Sequence, residues 1–187
     1  IINSNGGNGP GSAVAVDASD CTISNCEFEN CEHQYGGAIR ATTSASNLKI
    51  ENCNFSDNRG RWGGFGGAVY LTGPDATIEN CIFNNNNAEQ YGGAIYSDEE
   101  ASNTKVIGST FIDNHGTIGG AIYAGRPGLT VDGCEFEDNT ASTSGGAIGI
   151  YHDDATISNS NFTNNNASID GGAIYVNDYC YNLNVDS

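Results

Sequence analysis

The sequence has no methionine, three prolines and only six basic residues, and leucine occurs at four positions. No apolar run approaches the roughly 18 residues that a membrane-spanning helix needs. The 23 acidic residues give a net charge of −17, and an acidic surface repels nucleic acid. We therefore expect no membrane insertion by this segment and no nucleic-acid partner.

The length and hydrophobic content predict one domain with a core. The chain has 187 residues, of which 37% are hydrophobic and 26 are glycine, which argues against wholesale disorder. Cysteine occurs seven times, an odd number that excludes complete pairing within the chain. We expect residues 1–187 to form a single segment of a longer protein.

Two short motifs alternate along the whole sequence. The tetrad Gly-Gly-Ala-Ile/Val begins at Gly36, Gly66, Gly92, Gly119, Gly145 and Gly171, and a degenerate copy begins at Gly11. The steps between these copies are 25, 30, 26, 27, 26 and 26 residues. The second motif, Phe-x-x-Asn, places phenylalanine at 28, 55, 83, 111, 136 and 162, and asparagine at 58, 86, 114, 139 and 165. Cys31 replaces asparagine once, and Ile2 and Asn5 fill both slots at the start. A fixed period of this size indicates a repeat architecture.

Each repeat predicts three short strands. The first carries the Gly-Gly tetrad, the second an apolar slot five residues before phenylalanine, and the third the Cys/Ser-x-Phe segment. Alternation with period two is typical of strands with one buried face. Helical repeats do not fit because paired glycines interrupt every unit, and leucine-rich repeats do not fit because leucine is rare. We predict an all-β fold, a right-handed parallel β-helix (β-solenoid) of about seven three-strand coils.

Stacking of the coils assigns a role to each repeated slot. Adjacent coils of a solenoid lie about 4.8 Å apart, so equivalent residues form ladders. We expect inward ladders of phenylalanine and of isoleucine, and an amide ladder of asparagine at a corner, where the backbone is left-handed. The small inward slot holds Cys26, Cys53, Cys81, Ser109, Cys134 and Ser160. Exchange of cysteine with serine favours buried free thiols, although disulfides between neighbouring coils stay geometrically possible.

The alternation of the two motifs resembles the polymorphic outer-membrane protein repeat of chlamydial surface proteins and of many adhesin-like proteins. The resemblance covers the whole chain. It implies a right-handed β-helix displayed outside the cell, with adhesion as the usual role, and it implies neither a catalytic residue nor a cofactor. On this basis we expect an extracellular or cell-surface location. Partners would be a protein or glycan on another cell, or further β-helix coils of the same chain.

A row of tyrosines is the first candidate for ligand contacts. Tyr70, Tyr96 and Tyr123 follow the tetrad in three consecutive coils. Because this position alternates with the buried isoleucine, we expect an outward stripe about 10 Å long. Exposed aromatic rows bind sugars or proteins. The alternative is a stacking ladder that only stabilises the sheet.

The longest repeat supplies the second candidate. Its surplus of residues lies in the segment from Asn58 to Phe65. The candidate ligand contacts in it are Arg59, Arg61, Trp62, the only tryptophan, and Phe65. Loops inserted into a solenoid often form its binding face, and tryptophan and arginine are common anchors of interfaces. The alternative is a tolerated surface insertion.

No motif for metal binding or catalysis stands out. The histidines lack the spacing of a zinc site, and the acidic turns around 98–100 and 152–154 are expected to be solvated rather than calcium-bound. We therefore expect no metal site, no catalytic residue and a non-catalytic adhesin-like protein. Two alternatives remain open, a passive spacer and, less favoured, a polysaccharide-degrading β-helix enzyme, which would need paired carboxylates in a cleft.

Overall fold

The computed structural model describes residues 2, 4, 12–98, 100–178 and 180–186, and its regular elements are all short β-strands. The predicted slots at Asn5 and Gly11 and the acidic residue Glu99 lie outside the described residues. In the described part, each strand pairs in parallel with its equivalent in the next coil. The all-β parallel solenoid predicted from the repeat is therefore confirmed.

The strands repeat in sets of four. The first coil contains β1 (Val14–Val16), β2 (Thr22–Ser24), β3 (Glu27–Glu29) and β4 (Glu32–Tyr35). The second contains β5 (Ile39–Ala41), β6 (Lys49–Glu51), β7 (Asn54–Ser56) and β8 (Arg59–Phe65). The third contains β9 (Val69–Leu71), β10 (Thr77–Glu79), β11 (Ile82–Asn84) and β12 (Asn87–Ala88). The fourth contains β13 (Ile95–Ser97), β14 (Lys105–Ile107), β15 (Thr110–Ile112) and β16 (His115–Ile118). The fifth contains β17 (Ile122–Ala124), β18 (Thr130–Asp132), β19 (Glu135–Glu137) and β20 (Thr140–Ser144). The sixth contains β21 (Ile148–Ile150), β22 (Thr156–Ser158), β23 (Asn161–Thr163) and β24 (Asn166–Ala167), after which come β25 (Ile174–Val176) and β26 (Asn184–Asp186).

These strands form four sheets that run the length of the solenoid. The first and second sheets, which begin with β1 and β2, have seven strands each, and the third and fourth, which begin with β3 and β4, have six each. The described residues therefore make six complete coils and two strands of another. The three predicted strands per coil correspond to the first three sheets. Three strands per coil is nevertheless wrong, because a fourth strand follows the asparagine slot. The sequence hides it because β12 and β24 are only two residues long and show no apolar alternation.

The Phe slot forms a continuous stack through the core. Phe83 lies in register between Phe55 and Phe111, and its ring centroid is 4.7 Å and 4.8 Å from theirs, with the rings within 3° of parallel. All three side chains have no solvent exposure. The isoleucine and valine slots of the first two sheets are buried beside them from Ile39 to Ile157. Both predicted inward ladders are confirmed.

The paired glycines are explained by two different constraints. Gly92 adopts a φ of 66°, in the left-handed region that favours glycine. At Gly93, an added Cβ atom would lie 1.9 Å from the carbonyl oxygen of Gly120 in the next coil. The first glycine is therefore required by the turn, and the second by the close approach of neighbouring backbones.

The Asn slot forms the predicted amide ladder inside the corner. The Nδ2 group of Asn86 donates to the carbonyl oxygen of Phe55 in the preceding coil at 3.0 Å and to Oδ1 of Asn114 in the next at 3.0 Å. The backbone N–H of Asn86 donates to the same Oδ1 at 3.0 Å. The predicted left-handed backbone is displaced by one residue, because it is Asn85, at φ 53°, that turns the corner. The exposed residue makes the turn, which leaves the ladder amide free to point inward.

The small inward slot also forms a ladder, and all seven cysteines are free thiols. The N–H of Cys81 donates to Oγ of Ser109 at 3.1 Å, and the N–H of Ser109 donates to Sγ of Cys134 at 3.5 Å. Each slot also donates to the carbonyl two residues earlier, as Ser109 does to Ile107 at 3.0 Å and Cys134 to Asp132 at 3.4 Å. Cysteine and serine exchange here because both supply one acceptor and one donor. The expectation of free thiols is confirmed.

Candidate functional site

The tyrosine row points away from the main core, but it is not exposed. Tyr70, Tyr96 and Tyr123 have exposed fractions of 7%, 8% and 7%. Their rings stack at 5.0 Å and 5.3 Å with interplanar angles of 5° and 6°. The prediction of an exposed stripe is therefore wrong. Contact of these residues with a ligand stays a prediction, and their burial favours the alternative of a ladder that stabilises the sheet.

A second row of apolar side chains, three of them aromatic, covers the tyrosines. It comes from the residues that immediately precede the paired glycines, Tyr35, Phe65, Tyr91 and Ile118. The ring centroid of Phe65 lies 5.0 Å from that of Tyr96, and the ring of Tyr91 lies 4.9 Å from that of Tyr123. Tyr35, Phe65 and Ile118 end strands of the fourth sheet, and Tyr91 forms a single parallel bridge with Ile118 three residues after β12. The unpredicted sheet is therefore what buries the tyrosines. The two rows form a small apolar cluster outside the solenoid core.

Burial changes the acidity of these phenols. Burial, reinforced by the nearby Asp98 carboxylate, raises the pKa of Tyr96 well above its ordinary value of 10.0. The Tyr96 hydroxyl donates a hydrogen bond to Asp98 Oδ2 at 2.9 Å. Burial likewise raises the pKa of Tyr123, and it raises that of Tyr151 to about 12. The tyrosine hydroxyls therefore remain protonated and act as neutral groups at physiological pH.

The surplus residues of the long coil form a bulge in a strand, and they do not form a separate loop. Strand β8 pairs with β4 through Glu32–Arg59 and His33–Gly60, then shifts register so that Tyr35 pairs with Phe65. The shift leaves the segment 61–64, here called the Trp62 bulge, without partners in this register. Trp62 adopts a φ of 58° at its apex. Bulges re-aim side chains and are frequent beside functional sites.

Neighbouring coils hold the bulge on both sides. On one side, Gln34 Nε2 donates to the carbonyl oxygen of Trp62 at 3.2 Å. On the other, the N–H of Gly63 donates to Glu89 Oε2 at 2.7 Å, and the N–H of Gln90 donates to the carbonyl oxygen of Gly64 at 2.9 Å. The tryptophan side chain is nonetheless 45% exposed. The backbone of the bulge is thus fixed, while its indole ring faces solvent.

The two arginines of β8 have different environments. Arg61 forms an ion pair with Glu32, with Nη2 2.8 Å from Oε1. Arg59 is exposed, and no ion pair or hydrogen bond of its guanidinium group occurs within the described residues. Beside them lies an open groove of about 310 Å³ lined by Arg59, Arg61, Asn85, Asn87 and Glu89. The groove combines guanidinium and amide donors and is bordered by the Trp62 bulge.

The predicted site residues therefore divide into two groups. Arg59, Arg61 and Trp62 lie together at the bulge and groove, whereas Phe65, Tyr70, Tyr96 and Tyr123 belong to the buried aromatic cluster. Phe65 connects the two, because it ends the bulge and packs on Tyr96. The groups that position the site, Glu32, Gln34 and Glu89, were not predicted. Their signal was the period itself, since each lies about one coil from the residue it contacts.

The described residues contain neither a cluster of metal ligands nor a membrane-spanning helix. No group of three or more histidine, cysteine, aspartate or glutamate side chains is arranged to hold a metal ion among the described residues. Among the described residues, no helix is long and apolar enough to span a membrane.

Comparison with known proteins identifies the repeat. A family model described as right handed beta helix region matches residues 1–136, which is more than half of the chain. A model described as Chlamydia polymorphic membrane protein repeat matches residues 133–151 and 159–177. No curated protein and no solved structure matches the chain significantly. The second model matches two stretches that each contain one Phe slot and the pair of glycines that follows it, so its signal coincides with the motifs that build the coils. The chain therefore belongs to the right-handed β-helix family and carries polymorphic membrane protein repeats, which indicates a surface-type protein.

Proposed function

We propose that this β-helix is a non-catalytic, adhesin-like module that attaches to a protein or glycan of another cell through the Trp62 bulge. The observation that carries the proposal is the exposure of Trp62. Within the described residues before 169, the exposed large hydrophobic side chains are Trp62 and Ile82. Ile82 lies in a regular strand, whereas Trp62 lies where the repeat is broken. An exposed indole ring on a fixed backbone is a suitable anchor for a sugar ring or a protein surface.

The rigidity of the bulge supports binding over tolerance of an insertion. Three hydrogen bonds fix its backbone on both sides. Gln34 and Gln90 donate to its carbonyl oxygens, and one of its N–H groups donates to Glu89. Phe65 packs against Tyr35 and Tyr96 at its end. Such pre-organisation lowers the entropic cost of binding. A passive spacer would need no such support for an exposed aromatic ring.

The composition of the groove favours attachment over catalysis. Hydrolysis of a polysaccharide by a pair of carboxylates requires two acids facing one bond. The groove contains one carboxylate, that of Glu89, which accepts a hydrogen bond from Gly63. The remaining lining groups are two arginines and two asparagines, which bind but do not transfer protons at neutral pH. The matches to the polymorphic membrane protein repeat support a cell-surface location, where such a module would meet these partners.

A binding screen against glycan arrays and whole cells tests the proposal. The wild-type chain, Trp62→Ala and Ile82→Ala are compared, because the last variant removes a similarly exposed apolar side chain away from the bulge. Binding that Trp62→Ala abolishes and Ile82→Ala retains supports the proposal. Failure of the wild-type chain to bind any cell or glycan would favour the spacer. Release of reducing ends from a polysaccharide would overturn the assignment as non-catalytic.

A further inference from the structure

The groove beside the Trp62 bulge has an uneven distribution of used and unused hydrogen-bonding groups, and this asymmetry points to a ligand class. From it we infer that the groove binds a sugar that carries a single carboxylate, with Arg59 as the carboxylate ligand. The inference rests on the proposed function, because it uses the same bulge, and it adds the chemistry of the ligand.

Each acidic side chain near Arg59 already accepts a hydrogen bond or an ion pair from another group. Glu32, the neighbour of Arg59 in register, pairs with Arg61 at 2.8 Å. Glu89 Oε2 accepts the N–H of Gly63 at 2.7 Å. Asp57 Oδ1 accepts the side-chain amide of Asn85 at 2.6 Å. The three carboxylates thus accept from groups other than Arg59, and one of them, Glu32, is paired with a cation.

Two hydrogen-bond donors of the groove, the side chains of Arg59 and Asn87, lie next to each other without a partner among the described residues. Arg59 pairs in register with Asn87 of the next coil, so their side chains emerge side by side from the fourth sheet. In the described residues, neither side chain takes part in an ion pair or a side-chain hydrogen bond. A guanidinium group binds a carboxylate through two parallel hydrogen bonds, and an amide next to it can bind a sugar hydroxyl. Two adjacent unused donors of this kind match an acidic sugar better than a neutral one.

The volume of the groove and the net charge of the chain limit the size and charge of the ligand. A groove of about 310 Å³ accommodates one or two sugar rings rather than a folded domain. Trp62 is next to the groove in the chain, because Arg61 before it lines the groove and the N–H of Gly63 after it donates to Glu89. The indole face can stack on the apolar face of the sugar ring. A net charge of −17 repels polyanions at long range, so a terminal sugar with one carboxylate fits better than an acidic polymer.

The test measures affinity for matched acidic and neutral probes by calorimetry. The probes are oligosaccharides ending in glucuronic acid or in sialic acid, each with its carboxyl-reduced counterpart. The variants are Arg59→Gln, which keeps a long polar side chain, and Arg126→Gln, which removes a distant exposed arginine that pairs with Asp98. We expect at least one acidic probe to bind about tenfold more tightly than its reduced form, as expected for a hydrogen bond to a charged group. Arg59→Gln should remove that difference and Arg126→Gln should keep it.

The outcomes separate this inference from the proposed function. Equal affinity for acidic and reduced probes, with binding of both lost in Trp62→Ala, overturns the carboxylate site and leaves the bulge as the attachment point. Acid preference that survives Arg59→Gln overturns the role of Arg59. Absence of binding to all four probes also overturns the inference, while cell attachment that depends on Trp62 would still support the proposed function. Unchanged thermal unfolding of Arg59→Gln shows that the exposed substitution leaves the coils intact.

Discussion

The Nδ2 atom of Asn86 lies 3.0 Å from the Oδ1 atom of Asn114, a residue one coil further along the chain. Asn86 also accepts at its own Oδ1, from the backbone N–H of Asn58 at 3.1 Å and from the Asn58 side chain at 2.9 Å. The substitution Asn86→Ala leaves several of these buried partners unsatisfied. We expect it to lower the free energy of unfolding by about 2–4 kcal/mol, measured by urea denaturation.

The matched control is Asn84→Ala, two residues earlier. Asn84 is exposed on strand β11, so its loss should change the free energy of unfolding by less than about 0.5 kcal/mol. Equal effects of the two substitutions would show that the amide ladder contributes little to stability.

The Cys/Ser slot predicts an asymmetric response at Cys134. The Cys134→Ser variant keeps an acceptor for the N–H of Ser109 and a donor for the carbonyl of Asp132. We expect it to change stability by less than about 1 kcal/mol, whereas Cys134→Val, which lacks both groups, should cost about 1–3 kcal/mol. Thermal or urea unfolding of the two variants checks this order. A valine that is tolerated better than serine would show that packing alone decides the slot.

The thiol of Cys134 should also be unreactive in the folded chain. Burial raises its pKa to about 11, so the nucleophilic thiolate is scarce at neutral pH. We expect slow alkylation of Cys134 by iodoacetamide in the native state and rapid alkylation in denaturant. Peptide mass spectrometry measures both rates. Fast native labelling would mean that the coil opens locally at this position.

The buried tyrosines predict a loss of stability in strong alkali. Burial raises the pKa of Tyr151 to about 12 and raises those of Tyr96 and Tyr123 above their ordinary value of 10.0. The folded state therefore holds these protons more tightly than the unfolded state does. The contribution of these phenols to stability is constant below about pH 10, and it falls as the pH rises from there through the folded-state pKa values. An ultraviolet titration of tyrosinate should show late-titrating phenols in the native chain and normal titration in denaturant, and Tyr151→Phe should remove one of the late phenols.

Glycine interrupts the tyrosine row at position 149, and a second substitution should partly offset the effect of filling this position. At Gly149, an added Cβ atom would lie 2.7 Å from Cγ2 of Ile118. We expect Gly149→Ala to cost about 1–2 kcal/mol through overpacking. The double variant with Ile118→Ala should show less than the sum of the two single losses in a double-mutant cycle. Additive losses would indicate that the clash is relieved by movement of the backbone.

The core could be predicted from the sequence because the period places each ladder in register. The slots of Phe83 and Asn86 recur once in each coil, and the spacing between coils then places the members of each slot above one another. The burial of Tyr96 could not be predicted in the same way. It depends on Phe65 and on the fourth sheet, whose shortest strands have backbone pairing without an apolar pattern. The ion pair of Arg61 with Glu32 was also hidden, because the bulge breaks the register from which neighbours are inferred.

The parallel stacking has a mechanical consequence. Hydrogen bonds between coils run along the stacking direction, and each described coil is joined to the next by one segment of chain. Tension through the ends therefore peels one strand edge at a time and does not shear a whole sheet. Each detached coil would release about 26 residues, or roughly 85 Å of extended chain at about 3.3 Å per residue. We expect a module built in this way to lengthen stepwise under tension, and the coils that remain stacked to keep the Trp62 bulge intact until its own coil is reached.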